Sequence, residues 1–318
     1  MRAHPLFPAI LALLGVAAPA IGSAGLEVSP EAVAAERINS TARIGEGRWA
    51  AGVRAPGVKN GEKRQELTLW RVADGQVRPQ AAPGGQRALL RSEPVLLARG
   101  GELAGLAWLE GDRSDRLMVR WASFSNGRWS ATEQVTSRGP GSQMALSGAV
   151  LDDGSLLLAW AAFDGTDDEI YFATSRGTGL WSEPRRLHGD NRVPDITPAL
   201  LAVDGGALAL WSAFDGEQYR LFSARFDGDR WSAAQPAGPP GSLYPTVDAD
   251  SRLVVYRSTS PRGWGTFAVN PAGRMQNRAV VATPQLARPQ IEADADGALR
   301  WRFADGSTTA VRYEVLPR

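Results

Sequence analysis

The chain has 318 residues, of which 43% are hydrophobic, enough to form the core of one large domain or two ordinary ones. Its 35 basic and 34 acidic residues give a formal net charge of +1, so no overall field attracts nucleic acid or an anionic membrane. The lack of cysteine excludes disulfides, thiolate metal sites and cysteine nucleophiles, so stability must come from packing.

The first 24 residues are typical of a secretory signal peptide. A short basic start precedes an apolar run from Leu6 to Ile21, and small residues follow it. Proline and glycine interrupt this run, which is shorter than the roughly 20 apolar residues that a spanning helix needs. We therefore expect cleavage after Ala24 or Ala20, no membrane span, one mature domain over 25–318, and a periplasmic or secreted bacterial protein.

A unit of about fifty residues is repeated three times in the middle of the chain. Each copy contributes one tryptophan to each of two columns, with members spaced by 52 and 51 residues in one column and by 52 and 50 in the other. The first column is Trp108, Trp160 and Trp211, and the second is Trp129, Trp181 and Trp231. Repeats of roughly 40 to 50 residues with several short strands are typical of propeller blades. Because equivalent tryptophans would meet the same neighbours in every blade, we expect both columns to pack in the core.

One unit shows the strands of a blade clearly. The run SLLLAWAAF at 155–163 is almost continuously apolar and ends at the turn Asp164-Gly165. The run EIYFATS at 169–175 is rich in aromatic and β-branched residues, and a glycine turn separates it from LWSEPRRL. With the preceding strand, which closes at Asp153-Gly154, this pattern predicts four antiparallel strands joined by tight turns.

Weaker copies of the unit lie on both sides, so the sequence predicts six opening strands. They fall near Ala42, Pro94, Gly148, Pro198, Pro245 and Pro289. The predicted fold is all-β, a six-bladed β-propeller of four-stranded antiparallel blades, with five and seven blades as the alternatives. The last unit lacks a fourth strand, and we expect residues 26–33 to supply it, because a closed ring leaves no edge strand exposed.

Three passages, ASFSNGRWSATE, ATSRGTGLWSEP and ARFDGDRWSAAQ, share a glycine followed by Trp-Ser. They resemble the Asp-box (BNR) repeats of the sialidase superfamily, which read Ser-x-Asp-x-Gly-x-Thr-Trp between the third and fourth strands. The resemblance covers 91–240 and implies a six-bladed propeller, although the boxes are degenerate, with Arg176 and Gly177 where an acid and a glycine are expected. It also implies that Arg43, in Arg-Ile-Gly where active sialidases have Arg-Ile-Pro, is one clamp on a substrate carboxylate.

The ligand-binding residues are predicted on the axial face where the loops between blades and the loops between second and third strands meet. They are Arg43, Glu110, Asp164, Asp168, Asp195, Asp215, Tyr244, Trp264 and Arg288. Trp264, in SPRGWGTF, breaks the tryptophan pattern and is the aromatic ring expected to be exposed. Asp164 and Asp215 belong to Asp-Gly turns, whose geometry by itself explains their residue types.

We expect no cofactor. DGTDDE at 164–169 has the oxygen density of a calcium loop but not its twelve-residue spacing, so a structural calcium ion is the weaker alternative. His188 is the one histidine left after the leader, which argues against a histidine metal site or a serine-histidine triad. No glycine-rich loop opens a helix, so nucleotide binding has no support.

The leading functional prediction is a sialidase-like propeller that binds a carbohydrate or protein ligand on its axial face without catalysis. A glycoside hydrolase acting on acidic sugars is one alternative, and a structural partner in an envelope complex is another. Hydrolysis of acidic sugars would require Arg43, Arg257 and Arg288 in one axial pocket beside a tyrosine and a carboxylate.

Overall fold

The computed structural model describes the chain from residue 37 to residue 311 in segments. The gaps are 46, 55–57, 60–61, 64, 74–75, 86–89, 113–115, 137–140, 177–179, 190, 249–251, 287, 294–298 and 304–306. The described residues form β-strands and contain no α-helix, and hence no apolar helix of membrane-spanning length. The prediction of an all-β protein is confirmed.

Five blades of antiparallel strands follow one another along the chain. Blade 1 contains β1 (Arg37–Ile44), β2 (Gly47–Arg54), β5 (Glu66–Ala73) and β6 (Gln76–Gln80), with the hairpin β3 (Val58–Lys59) and β4 (Glu62–Lys63) inserted after β2. Blade 2 contains β7 (Leu90–Arg99), β8 (Glu102–Gly111), β9 (Met118–Ser125), β10 (Arg128–Trp129) and β11 (Glu133–Gln134). Blade 3 contains β12 (Gln143–Val150), β13 (Leu156–Phe163), β14 (Asp168–Ser175) and β15 (Arg185–Arg186).

The remaining strands form blades 4 and 5 and one smaller sheet. Blade 4 contains β16 (Asp195–Val203), β17 (Gly206–Phe214), β18 (Tyr219–Phe226) and β19 (Gln235–Pro236). Blade 5 contains β20 (Ser242–Asp248), β21 (Leu253–Thr259), β22 (Arg262–Val269) and β23 (Met275–Ala282). The smaller sheet contains β24 (Gln290–Ala293), β25 (Leu299–Arg302) and β26 (Thr308–Val311).

The structure thus confirms a propeller with five antiparallel blades, and five of the six residues that mark predicted opening strands lie in strands, while Pro289 directly precedes β24. The smaller sheet has three strands in the part of the chain that is described, so the count of six blades stays a prediction. Closure by residues 26–33 also stays a prediction, because that segment lies outside the described residues. The first strands of successive blades contact one another, which places them nearest the axis.

Among the described residues, five apolar clusters lie between successive sheets, one at each junction from blade 1 to the smaller sheet. Trp108 is buried between blades 1 and 2, Trp160 between blades 2 and 3, and Trp211 between blades 3 and 4. A fourth cluster joins blades 4 and 5, and Trp301 of the smaller sheet packs on blade 5. The first tryptophan column is therefore core, as the repeat predicts, and its large apolar area stabilises the contacts between sheets.

The second tryptophan column packs half-buried against the outer strands. Trp129 lies 4.8 Å from Phe124, Trp181 lies 5.6 Å from Trp121, and Trp231 lies 4.9 Å from Phe226, measured between ring centroids. The following serines are Ser130, Ser182 and Ser232, and the Oγ of each accepts the backbone N–H of a third-strand residue at 3.0 to 3.1 Å. The recurring Trp-Ser pair therefore fastens the outer edge of each of these blades to its third strand.

Four first strands share a bulge two or three residues after they begin. The bulged residues are Glu93, Ala145, Thr197 and Tyr244, with positive φ angles of 51°, 54°, 56° and 54°. At each one the pairing with the second strand shifts in register. A positive φ is unfavourable for residues other than glycine, so its recurrence marks a designed feature rather than a local accident. The bulge turns one side chain per blade away from the regular pleat.

Candidate functional site

The site lies on the face of the propeller at which first strands begin, second strands end and third strands begin, here called the upper face. Antiparallel pairing brings these strand ends together, for example Arg91 beside Glu110 and Asp195 beside Ala213. Asp164, Asp168 and Asp215 also lie at strand ends of this kind. The upper face therefore gathers most of the acids that the sequence predicts.

A buried polar cluster occupies the upper end of the seam between blades 3 and 4. It consists of Glu169 from β14, His188 from the loop after β15, and Asp195 at the start of β16, and we call it the seam cluster. One ligand-type atom of each residue lies within 4.8 Å of the others. Three segments of chain that are apart in sequence therefore bring two carboxylates and an imidazole together.

Asp195 is held rigidly within the seam cluster. Trp211 Nε1 donates to its Oδ1 at 2.8 Å, and Asn191 Nδ2 donates to its Oδ2 at 2.6 Å. His188 Nε2 lies 2.9 Å from the same Oδ2, and the imidazole stacks on Trp211 with 5.3 Å between ring centroids. Burial opposes protonation of His188, but the hydrogen bond and charge of Asp195 outweigh it and raise the histidine pKa.

Glu169 differs from Asp195 because its carboxylate lacks hydrogen-bond partners. The residue is fully buried, and neither Oε1 nor Oε2 has a partner among the described residues. Burial and the negative charge of Asp195 raise the pKa of Glu169 to about 7, against the opposing influence of His188 and Arg186. A carboxyl group with this pKa is partly protonated at neutral pH.

The Asp-Gly acids are engaged in their turns. Asp164 Oδ1 accepts the N–H groups of Thr166 and Asp167 at 2.7 and 3.2 Å, and these bonds lower the pKa of Asp164. Asp215 Oδ1 accepts two N–H groups of its own turn in the same way, and its pKa is also lowered. The turn interpretation of both residues is confirmed.

Exposed aromatic side chains border the seam cluster on the upper face. Tyr244, on the blade 5 bulge, is 40% exposed, and Phe163, at the end of β13, is 41% exposed. Tyr219 has a raised pKa because of burial first and then the proximity of Tyr244, Asp168 and Asp195. Phe163 pairs with Asp168 across the hairpin, so these aromatic residues and Asp168 belong to one region. We call Phe163, Tyr219 and Tyr244 the aromatic patch.

Glu110 lies on the upper face as predicted, but its carboxylate is buried in an ion pair. Its Oε2 accepts from Arg91 Nε at 2.8 Å and from Trp108 Nε1 at 3.2 Å. Arg91 also donates to the carbonyl oxygens of Gly84 and Gly85. These contacts account for Glu110 as part of the seam between blades 1 and 2.

The prediction that Trp264 is an exposed ring is wrong. Trp264 is 8% exposed, its Nε1 donates to the carbonyl of Gln285 at 3.1 Å, and it packs with Trp301 in the cluster that joins blade 5 to the smaller sheet. Arg257 covers the other side of the ring, with its guanidinium carbon 5.1 Å from the centroid. The glycines around Trp264 lie inside β22 rather than in a loop.

The predicted position of Arg43 on the axial face is also wrong. Arg43 lies near the end of β1. In the turn that follows, Gly45 N donates to the carbonyl of Gly101 in the β7–β8 hairpin. Arg43 is therefore at the face opposite the seam cluster. Arg257 is bound to Gln285 O at 2.7 Å. Burial lowers the pKa of Arg288 to about 10, and the negative charge of Asp248 acts in the opposite direction. Asp248 is the last residue of β20, whereas Tyr244 lies near its start. The three arginines do not converge.

Sequence reasoning missed the seam cluster. Glu169 stands in an aromatic strand sequence with nothing to distinguish it from a surface acid, and His188 is a lone histidine in RLHGDN. Their proximity follows from the packing of blade 4 on blade 3, which no local motif encodes. The only available signal was that Asp195 and Glu169 both adjoin predicted strand ends at the same face.

No family model matches the chain, and no curated protein matches it. Solved structures share its fold. An α-L-arabinanase of Penicillium chrysogenum complexed with arabinobiose aligns with a TM-score of 0.55 and 9% identity, over 89% of this chain and 94% of the other. An α-L-arabinofuranosidase of Fusarium graminearum in complex with an iminosugar inhibitor aligns with a TM-score of 0.52 and 11% identity, over 87% and 91%.

A sialidase of Trypanosoma rangeli in complex with the inhibitor DANA aligns with a TM-score of 0.52 and 11% identity. The match covers 88% of this chain and 55% of the sialidase chain, so this chain spans about half of that protein. At these identities the similarity establishes a common propeller fold. The fold resembles that of arabinose-processing glycosidases as well as that of sialidases.

Proposed function

We propose that this chain is an exported carbohydrate-binding β-propeller whose ligand lies on the aromatic patch of the upper face. The observation that carries the proposal is the exposure of Tyr244 and Phe163 on the upper face, with Asp168 paired to Phe163 across its hairpin. Aromatic rings stack on the apolar faces of sugars, and neighbouring carboxylates accept hydrogen bonds from hydroxyl groups. Proteins of the same fold have been crystallised with arabinobiose and with sugar-like inhibitors, which supports a sugar as the ligand class.

Neutral sugars fit the aromatic patch better than acidic sugars. The carboxyl groups of Asp164 and Asp168 lie beside it, and negative charge would repel a sugar carboxylate. The arginine clamp that a sialidase-type reaction on acidic sugars would need is not assembled by Arg43, Arg257 and Arg288. Binding without hydrolysis is therefore the function that these contacts favour over the sialidase-type alternative.

Replacing Tyr244 by alanine should weaken sugar binding about tenfold or more, because the exposed ring supplies the stacking surface. Calorimetry against arabinan, galactan and sialoside oligosaccharides would measure the affinity, and Tyr244→Phe should retain most of it. Leu180→Ala is the matched control, since Leu180 is 79% exposed but follows the third strand of blade 3 near its outer edge.

Equal affinity in Tyr244→Ala and wild type would contradict the proposal. Absence of any sugar binding would favour the alternative that the protein is a structural partner in an envelope complex. Release of reducing sugar from these oligosaccharides would identify a hydrolase instead.

We also propose that the leader is removed after Ala24 and that residues 26–33 then complete a sixth blade with β24 to β26. The three-stranded smaller sheet among the described residues has an open place for such a strand. The mass of the exported protein would locate the cleavage site. Because the chain has no cysteine, a pair introduced at Ser29 and Thr309 should form a cross-link if the segment pairs with β26. Failure of several such pairs across 26–33 would refute closure by this segment.

A further inference from the structure

The seam cluster contains a carboxylate that the protein itself does not satisfy. Glu169 is fully buried and both its oxygens lack hydrogen-bond partners among the described residues. A buried carboxylate is normally paired or bound to a metal ion, because an isolated charge is costly to remove from water. The Glu169 carboxylate lies with His188 and Asp195, whose nearest ligand-type atoms are within 4.8 Å.

Among the described residues of blades 2 to 5, a carboxylate stands at the third-strand position of Glu169 in blade 3 alone. The residues that correspond to Asp195 at the start of the other first strands are Arg91, Gln143 and Ser242, all buried. Arg91 pairs with Glu110, Gln143 Oε1 accepts from Val119 N and Thr136 Oγ1, and Ser242 Oγ accepts from Leu221 N. In each of these seams the buried polar group is matched by protein alone. Asp195 is matched in the same way, so the group in excess at the seam between blades 3 and 4 is Glu169, whose third-strand position holds Met118, Arg220 and Gly263 in blades 2, 4 and 5.

The histidine is oriented as a metal ligand would be. His188 Nδ1 donates to the carbonyl of Gly189 at 2.8 Å, which leaves Nε2 directed into the cluster. In metal sites the non-ligating ring nitrogen usually donates to a carbonyl or carboxylate, and this fixes the ring. Trp211 adds a stacked ring behind the imidazole and a hydrogen bond to Asp195, so two of the three ligands are held in place by their neighbours.

We propose that Glu169, His188 and Asp195 bind one divalent transition-metal ion, with zinc as the representative ion, and so link blade 3 to blade 4. Two carboxylates and one imidazole suit zinc or manganese, whereas calcium and magnesium prefer ligand sets made of oxygen. The cation supplies a positive counter-charge for the Glu169 carboxylate. The seam cluster shares no residue with the aromatic patch, so the proposal does not depend on sugar binding.

An oxygen-only site is the competing arrangement. Asp164, Asp167 and Glu169 also have ligand atoms within 4.8 Å of one another, and this set would favour calcium. Asp164 already pairs with Arg186 and accepts the N–H groups of its own turn, so its carboxylate is less available. The histidine therefore decides between the two sites, and its substitution separates them.

The test uses the full mature chain, dialysed against a chelator and then titrated with zinc chloride by calorimetry. We expect one zinc ion per chain and a higher Tm with zinc, because a ligand that binds only the folded state stabilises it. Glu169→Gln and His188→Asn should each weaken binding about tenfold or more. Asp153→Asn is the control, since Asp153 is an exposed turn acid outside the cluster. Glu169→Gln removes a buried charge and is expected to fold, which keeps the test decisive.

Cobalt(II) provides a spectroscopic check of the ligands. Its visible absorption bands should appear on binding to wild type and change in His188→Asn. Two results would overturn the proposal: no stoichiometric binding of zinc at micromolar concentrations, or zinc binding that His188→Asn leaves unchanged. Displacement of zinc by equimolar calcium would likewise overturn it and assign the oxygen-only site.

Discussion

Replacing Glu110 by alanine should destabilise the fold by about 3–5 kcal/mol, since it leaves the buried Arg91 guanidinium without its counter-ion. Both side chains are almost completely buried, and Arg91 Nε lies 2.8 Å from Glu110 Oε2. Trp108 Nε1 would lose its acceptor as well, and Arg120, whose Nε is 3.6 Å from Glu110 Oε1, would lose the nearby negative charge. Urea unfolding followed by tryptophan fluorescence would measure the free energy of unfolding.

A double substitution distinguishes a loss of pairing from a loss of packing. Arg91→Met combined with Glu110→Leu removes both charges together and should recover most of the stability, because apolar residues of similar volume often replace a buried pair at little cost. Arg54→Ala is the control, since its partner Glu66 is largely exposed and surface pairs contribute about 1 kcal/mol or less. A loss in Glu110→Ala no larger than in this control would show that the buried pair contributes little.

In metal-free buffer, the free energy of unfolding should fall as pH rises from about 5 to 7, and Glu169→Gln should remove much of this fall. The folded pKa of Glu169 is raised to about 7 from an ordinary value of 4.5, chiefly by burial. The folded state therefore holds the Glu169 proton more tightly than the unfolded state does. The resulting stabilisation is fully present below pH 4.5 and is lost as the pH rises to the folded pKa. A shift of this size corresponds to at most about 3 kcal/mol.

The neighbouring titratable groups either lower the free energy of unfolding as the pH rises from about 5 to 7 or leave it unchanged. His188 and Asp168 also have raised pKa values, so their contributions are lost as pH rises through those values. Asp164 has a lowered pKa and is ionised throughout. Urea titrations at several pH values with chelator present would measure the slope. Asp153→Asn, outside the cluster, should keep the wild-type slope, and an identical slope in Glu169→Gln would contradict the assignment.

The blades could be predicted from sequence because the information that specifies them is local and repeated. Trp160 and Trp211 stand in apolar runs bounded by Asp-Gly turns, and the same pattern recurs every fifty residues or so. Repetition also identified the tryptophans as core, since equivalent positions share equivalent neighbours. Turn chemistry gave Asp164 and Asp215 their correct role for the same reason.

The upper-face contacts could not be predicted, because they depend on pairs of residues that are distant in sequence. Trp264 is covered by Arg257 and bonded to Gln285, neither of which a reading of SPRGWGTF can supply. Arg43 was misplaced because β1 begins at Arg37, so a residue assigned to the beginning of the strand lies at its far end. The seam cluster joins Glu169 to His188 across a loop whose path is set by tertiary packing.

The bulges at Glu93, Ala145, Thr197 and Tyr244 have a consequence for how such a protein diversifies. Each lies at the same depth on an inner strand, and the four differ in chemistry: an acid, a methyl group, a hydroxyl and a phenol. Tyr244 is 40% exposed at its bulge, whereas Glu93 Oε2 accepts the backbone N–H of Leu146 in the next blade, so the same bent backbone serves an open surface in one blade and a joint in another. An inherited change at Tyr244 can therefore retune the open surface, whereas one at Glu93 disturbs the joint between neighbouring blades.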